Sequence, residues 1–92
     1  MPRLNDSEIR DRLARLSGWR REGDAIRKEF TFASFPDAVA FVATLVPGAE
    51  AADHHPDIAI NYTRVTLSYS THSEGGLTEK DFDGAGRADR CA

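Results

Sequence analysis

Apolar residues in the first segment recur at helical spacing. Ile9, Leu13 and Leu16 stand at i, i+4 and i+7, one stripe of an amphipathic helix. The spacing predicts a helix over residues 5–17, with Asn5 and Glu8 forming a capping box and Gly18 acting as the C-terminal stop. The period then changes to two. Residues 19–21 and 24–32 read as the arms of a hairpin turning at Glu22-Gly23; Ile26, Phe30 and Phe32 share one face, interrupted by Lys28, and Arg27 and Glu29 share the other. Ser34 caps a second helix, with Asp37 in its first turn and Pro36 placed where its missing N–H has no partner to lose. Phe35, Ala38, Val39, Val42, Leu45 and Val46 give that helix a wide apolar face. An interior proline removes a backbone hydrogen bond and clashes with the preceding turn, at roughly 3 kcal/mol. Pro47-Gly48 therefore predicts a kink or a break, with residues 49–53 resuming as a short helical piece.

Residues 58–62 and 64–71 read as strands. In the second, Val65, Leu67 and Tyr69 alternate with Thr66, Ser68 and Ser70. After Gly75-Gly76, Thr78 and Asp81 form another capping-box pattern and start a third helix, a poor one, because Gly84 and Gly86 each cost about 1 kcal/mol relative to alanine. The order is helix, hairpin, helix, two strands, helix. It predicts an α+β two-layer sandwich, with a four-stranded antiparallel sheet and about three helices on one face.

The chain has 92 residues, which fits a single domain over residues 1–92 and leaves no room for a dinucleotide-binding fold, a TIM barrel or a second domain. A core of this size is modest, and an open antiparallel sheet exposes strand edges that proteins pair or cover. A homodimer or larger even assembly, homotetramer included, is expected. With 12 Lys+Arg against 15 Asp+Glu, a formal charge of −3 gives no electrostatic reason to expect nucleic acid as a partner. The one thiol, Cys91, cannot form an internal disulfide. No apolar run is long enough for a transmembrane span, and the first ten residues carry no secretory h-region, so a cytoplasmic location is expected.

The candidate chemistry lies in the C-terminal half: His54, His55 and His72, with Glu50, Asp53 and Asp81. No serine or cysteine sits in a GxSxG setting, and Gly84-Ala85-Gly86 is not a phosphate loop. Adjacent histidines diverge on regular backbone and no HxH or HExxH spacing occurs, so a metal site has no support. Imidazole titrates near neutrality, so several converging on one cleft suit a reaction that removes one proton and adds another, as dehydration does. Each residue has a structural reading as well. His54 and His55 could end a helix, His72 could be solvated, Glu50 could be a surface residue, and Asp81 caps a helix. Trp19 and Tyr62 could be packing residues.

Glu50-Ala51-Ala52-Asp53-His54-His55-Pro56, followed by Tyr62, His72 and Asp81, resembles the signature of the pterin-4a-carbinolamine dehydratase family. Gly18-Trp19, Asp24-Ala25-Ile26, Lys28-Glu29-Phe30, Phe32 and Gly76-Leu77-Thr78 are similar to family positions too, so the resemblance spans residues 4–82. It implies a four-stranded antiparallel sheet with helices on one side, assembling into dimers or dimers of dimers. It implies dehydration of a 4a-hydroxytetrahydropterin, left by an aromatic amino acid hydroxylase, to quinonoid dihydropterin, with no metal or organic cofactor. By motif position His54, His55, His72 and Asp81 carry over as active-site residues. His54 and His72 would be the proton-transfer pair and Asp81 the orienting group. His55, Glu50 and Trp19 would hold the pterin, Trp19 as a pocket wall. The alternative is a non-catalytic dimerisation or assembly module that binds a protein partner; the presence of all three histidines and Asp81 favours the enzyme.

Overall fold

A computed structural model of the chain describes residues 2–92. The first helix, α1 (Asp6–Leu13), starts where its cap predicts. The Asn5 side chain accepts the Glu8 N–H at 2.8 Å, and Glu8 accepts the Asn5 N–H at 3.0 Å. It ends at Leu13 rather than at residue 17. The Arg15 and Leu16 amides bond three residues back, to Arg12 and Leu13, which tightens the chain out of the α-helix. Leu13 and Leu16 still pack against the core.

Strands β1 (Arg20–Glu22) and β2 (Ala25–Thr31) pair with Glu22 opposite Ala25, so the turn is Gly23-Asp24, one residue later than the sequence suggests. Helix α2 (Phe35–Ala52) begins at Ser34, whose hydroxyl accepts the Asp37 N–H at 3.2 Å. It does not break at Pro47. Ala38, Phe41, Leu45 and Ala49 are buried on one stripe that crosses the proline, and packing on both sides holds the helix through the lost bond.

Strands β3 (Asp57–Asn61) and β4 (Arg64–Tyr69) complete an antiparallel sheet of order β1-β2-β4-β3. The last helix, α3 (Glu79–Cys91), runs through Gly84 and Gly86 and buries Phe82, Ala85 and Ala88. Ile26, Val65 and Leu67 are fully buried beneath the helices. Lys28, the interruption in the apolar face of β2, spans that layer to Asp89 of α3 (2.8 Å) and the Ser17 carbonyl (2.8 Å). On the opposite face Arg27 and Glu29 are exposed and Thr66 and Ser68 half-buried. The predicted two-layer α+β architecture is therefore the observed one. Edge strand β3 is exposed along its whole length. Ile58 and Ile60 pair with Leu67 and Val65 and so point to the helix side, yet they stay 42 % and 40 % exposed. No helix among the described residues is long and apolar enough to cross a membrane.

Candidate active site

The end of α2 and the start of α3 meet over the C-terminal end of β4. Asp53 leaves α2 in the left-handed conformation (φ 50°), and the His54 N–H turns back onto the Ala49 carbonyl at 3.1 Å. This reversal directs the His54 side chain inward, 10 % exposed, where Nε2 lies 2.6 Å from Oδ1 of Asp81. The imidazole stacks on Tyr69, centroids 6.2 Å apart and planes inclined by 25°.

Asp81 is fully buried, and each of its oxygens is engaged. Oδ2 accepts the Thr78 N–H at 3.0 Å, the capping bond of α3, and the Thr71 hydroxyl at 2.8 Å. Because the Thr71 proton points to the carboxylate, the Thr78 hydroxyl is the donor in the 2.9 Å Thr71–Thr78 contact; it accepts the Lys80 N–H in turn, at 3.3 Å. A carboxylate only accepts, so His54 donates through Nε2 and keeps Nδ1 as its free basic nitrogen. Buried polar networks of this kind depend on every member. Thr71→Val preserves shape but removes one donor to Asp81 and the acceptor of Thr78; it should lower the unfolding free energy by about 1–3 kcal/mol in urea titration.

The other expected residues surround this pair rather than join it. His55 lies 2.5 Å from Glu50, but the two side chains are 54 % and 67 % exposed, so their pairing is screened. They border a hollow of about 180 Å³ together with Val46, Pro56 and Ile58. His72 is exposed on a single 3₁₀ turn (His72–Glu74), pinned by the Thr71–Gly76 bridge and closed by left-handed Gly75 (φ 69°). It lines a cleft of about 300 Å³ with Asp24, Asp57, Ser68 and Ser70. The covalent neighbour of His72 is Thr71, whose hydroxyl reaches Asp81, so one residue links the turn to the buried pair.

Trp19 lies in the core, 7 % exposed, edge-on to Phe30 (6.0 Å) with Nε1 donating to both Asp89 oxygens at 3.1 Å. Tyr69 touches both Trp19 and His54 and supplies the aromatic surface next to the imidazole. Tyr62 is 72 % exposed in the β3–β4 turn, at φ 56°. Sequence reasoning missed Thr71, Tyr69 and Asp57. Only Tyr69 had a local signal, its inward place in the alternation of β4. Among the described residues no group of three or more His, Cys, Asp or Glu side chains is arranged to hold a metal ion.

Residues 2–91 match the sequence profile of the pterin 4 alpha carbinolamine dehydratase family. The chain is 58 % identical over 86 residues to a protein of Roseiflexus castenholzii provisionally named a pterin-4-alpha-carbinolamine dehydratase, covering 94 % of this chain and 92 % of that one. A similarly named protein of Picosynechococcus is 49 % identical over 88 residues, covering 96 % of each. The crystal structure of a transcriptional coactivator/pterin dehydratase from Brucella melitensis superposes with a TM-score of 0.95 at 38 % identity, covering 98 % of both chains. A pterin dehydratase-like protein identified as a RuBisCO assembly factor in the alpha-carboxysome superposes with a TM-score of 0.67 at 25 % identity, over 80 % of this chain and 86 % of that one. Fold and near-complete sequence coverage agree, and the chain belongs to the pterin-4-alpha-carbinolamine dehydratase family.

Proposed function

We propose that this chain dehydrates a 4a-hydroxytetrahydropterin to the quinonoid dihydropterin and water, with His54 as the central proton acceptor. The observation that carries the reading is the His54–Asp81 pair: a buried carboxylate 2.6 Å from Nε2 leaves Nδ1 free and oriented. Nδ1 takes the N5 proton of the substrate. The N–H electron pair becomes the C4a=N5 double bond as the C4a–O bond breaks. The departing hydroxide takes a proton from His72 and leaves as water. The imidazolium formed at His54 lies against Asp81, which stabilises it, and solvent then returns each histidine to its starting state. Positioned proton transfer contributes about 10²–10⁴-fold per group. His55 holds the pterin ring together with the neighbouring Glu50. The chemistry requires no cofactor, and the reaction that supplies the substrate is that of an aromatic amino acid hydroxylase.

A dehydration assay on the purified chain is the direct test. Turnover indistinguishable from the uncatalysed rate would remove this reading and promote the second one, a dimerisation or assembly module. That second reading is favoured by the relative identified as an assembly factor.

The same proposal includes self-association. The edge of β3 carries a row of unpaired backbone groups, and Ile58 and Ile60 beside it are short of cover. Light scattering at micromolar concentration should give the mass of a dimer or a larger even assembly, falling towards the monomer in an Ile58→Lys, Ile60→Lys variant. A stable wild-type monomer would contradict it.

A further inference from the structure

Gly48 of α2 and Gly84 of α3 lie inside helices, where glycine is disfavoured. Each makes room for one neighbour. A Cβ on Gly48 would stand 3.1 Å from Nε and 3.2 Å from Cδ of Arg87; a Cβ on Gly84 would stand 2.5 Å from Cε1 and 2.9 Å from Cζ of Tyr69. The two side chains so admitted line the same pocket, about 270 Å³ between α2 and α3, with Leu45, Ala49 and Arg90.

The polar groups of this pocket have spare capacity. Tyr69 is 3 % exposed, and its hydroxyl has no hydrogen-bond partner among the described residues. No polar side-chain atom among these residues is both sealed from solvent and unpaired, so the hydroxyl keeps some access to solvent, and Tyr69 lines the pocket. Burial pushes the Tyr69 phenol up from its ordinary pKa, which keeps it a donor at neutral pH. Arg87 and Arg90 form no salt bridge among the described residues, although acidic residues outnumber basic ones in the chain. Two cationic forks and a phenol donor above an apolar floor match an anionic group on a compact apolar body.

We propose that the α2–α3 pocket binds a small organic carboxylate, its oxygens held by Arg87, Arg90 and the Tyr69 hydroxyl and its body resting on Leu45 and Ala49. The site is separate from the cleft of His72 and does not depend on the dehydratase reading. It lies one aromatic ring from His54, because the Tyr69 ring that borders it also stacks on that imidazole.

The test is a titration of the isotope-labelled full chain, followed by amide NMR, with three probes: benzoate, inorganic phosphate and benzyl alcohol. Benzoate should give saturable shifts centred on Gly48, Tyr69 and Arg87. Phosphate, which has the charge without the body, and benzyl alcohol, which has the body without the charge, should each bind at least about tenfold more weakly. Arg87→Gln, at a half-buried position beside Gly48, should weaken benzoate about tenfold; Arg90→Gln, at an exposed position, should weaken it with an unchanged thermal midpoint, and Tyr69→Phe should weaken it several-fold. Benzoate shifts that fail to saturate or centre elsewhere would overturn the proposal. So would wild-type affinity in Arg87→Gln, or phosphate binding as tightly as benzoate.

Discussion

His54→Ala should lower kcat/KM for carbinolamine dehydration by about 10²-fold or more, because it removes the one imidazole whose free nitrogen is fixed by a buried carboxylate. The substitution also leaves Oδ1 of Asp81 without its donor. The companion variant is therefore His54→Gln, whose amide can still donate to Oδ1 but cannot take up a proton. Loss of turnover in both, with the glutamine variant folding as the wild type does, separates the chemical role from the structural one. His72→Ala should also lower kcat/KM. The His54→Ala, His72→Ala double variant should lose less than the product of the two single losses, since both groups act on one step. His55→Ala should raise KM more than it lowers kcat, as suits a group that holds the ring in ground and transition state alike. Normal turnover in the double variant would refute the assignment of these residues.

Asp81→Ala should be the most destabilising single change in the site. Asp81 is fully buried and receives hydrogen bonds from the Thr78 amide, the Thr71 hydroxyl and the His54 ring. Its removal strands three donors in the interior and breaks one half of the capping box of α3. Breaking a buried pair from one side costs about 3–5 kcal/mol. A small domain has about 5–15 kcal/mol in all, so a loss of about 3 kcal/mol or more in urea unfolding is expected, with much of the purified variant unfolded on mild heating. Asp81→Asn should be milder, since an amide oxygen can still accept from Thr78. An Asp81→Ala variant within about 1 kcal/mol of the wild type would contradict the network described.

The parts of the fold that were legible in the sequence depend on near neighbours. The caps at Asn5, Ser34 and Thr78 each need only residues three apart, and all three helices begin where these signals stand. The alternation of Val65, Leu67 and Tyr69 needs only the pleat of one strand, and it identified the buried face of β4 correctly. What failed was what depends on remote packing. Pro47 reads locally as an interruption, but the contacts that carry α2 across it come from the buried stripe Ala38, Phe41, Leu45 and Ala49. Gly84 reads as a weakness of α3, whereas it is the point where Tyr69, fifteen positions earlier, presses against the helix. The site divides in the same way. The sequence motif named His54 and Asp81, and the structure joins them. Thr71 carried no signal, because its link to Asp81 exists only after β4 has crossed the sheet and the chain has turned back at Gly76.

Asp81 starts α3 and orients an imidazole with the same carboxylate, so inheritance cannot treat these two duties separately. A lineage that gave up the reaction would lose its residues in a definite order. His72 would drift first, being exposed and making no side-chain hydrogen bond among the described residues. His54 would follow, towards side chains that still donate to Oδ1. Asp81 would go last, since among the described residues the Thr78 amide at the start of α3 has no other partner. In a diverged descendant, a surviving aspartate at this position is accounted for by the helix start alone, whereas a surviving histidine at position 72 is accounted for by no side-chain hydrogen bond among the described residues.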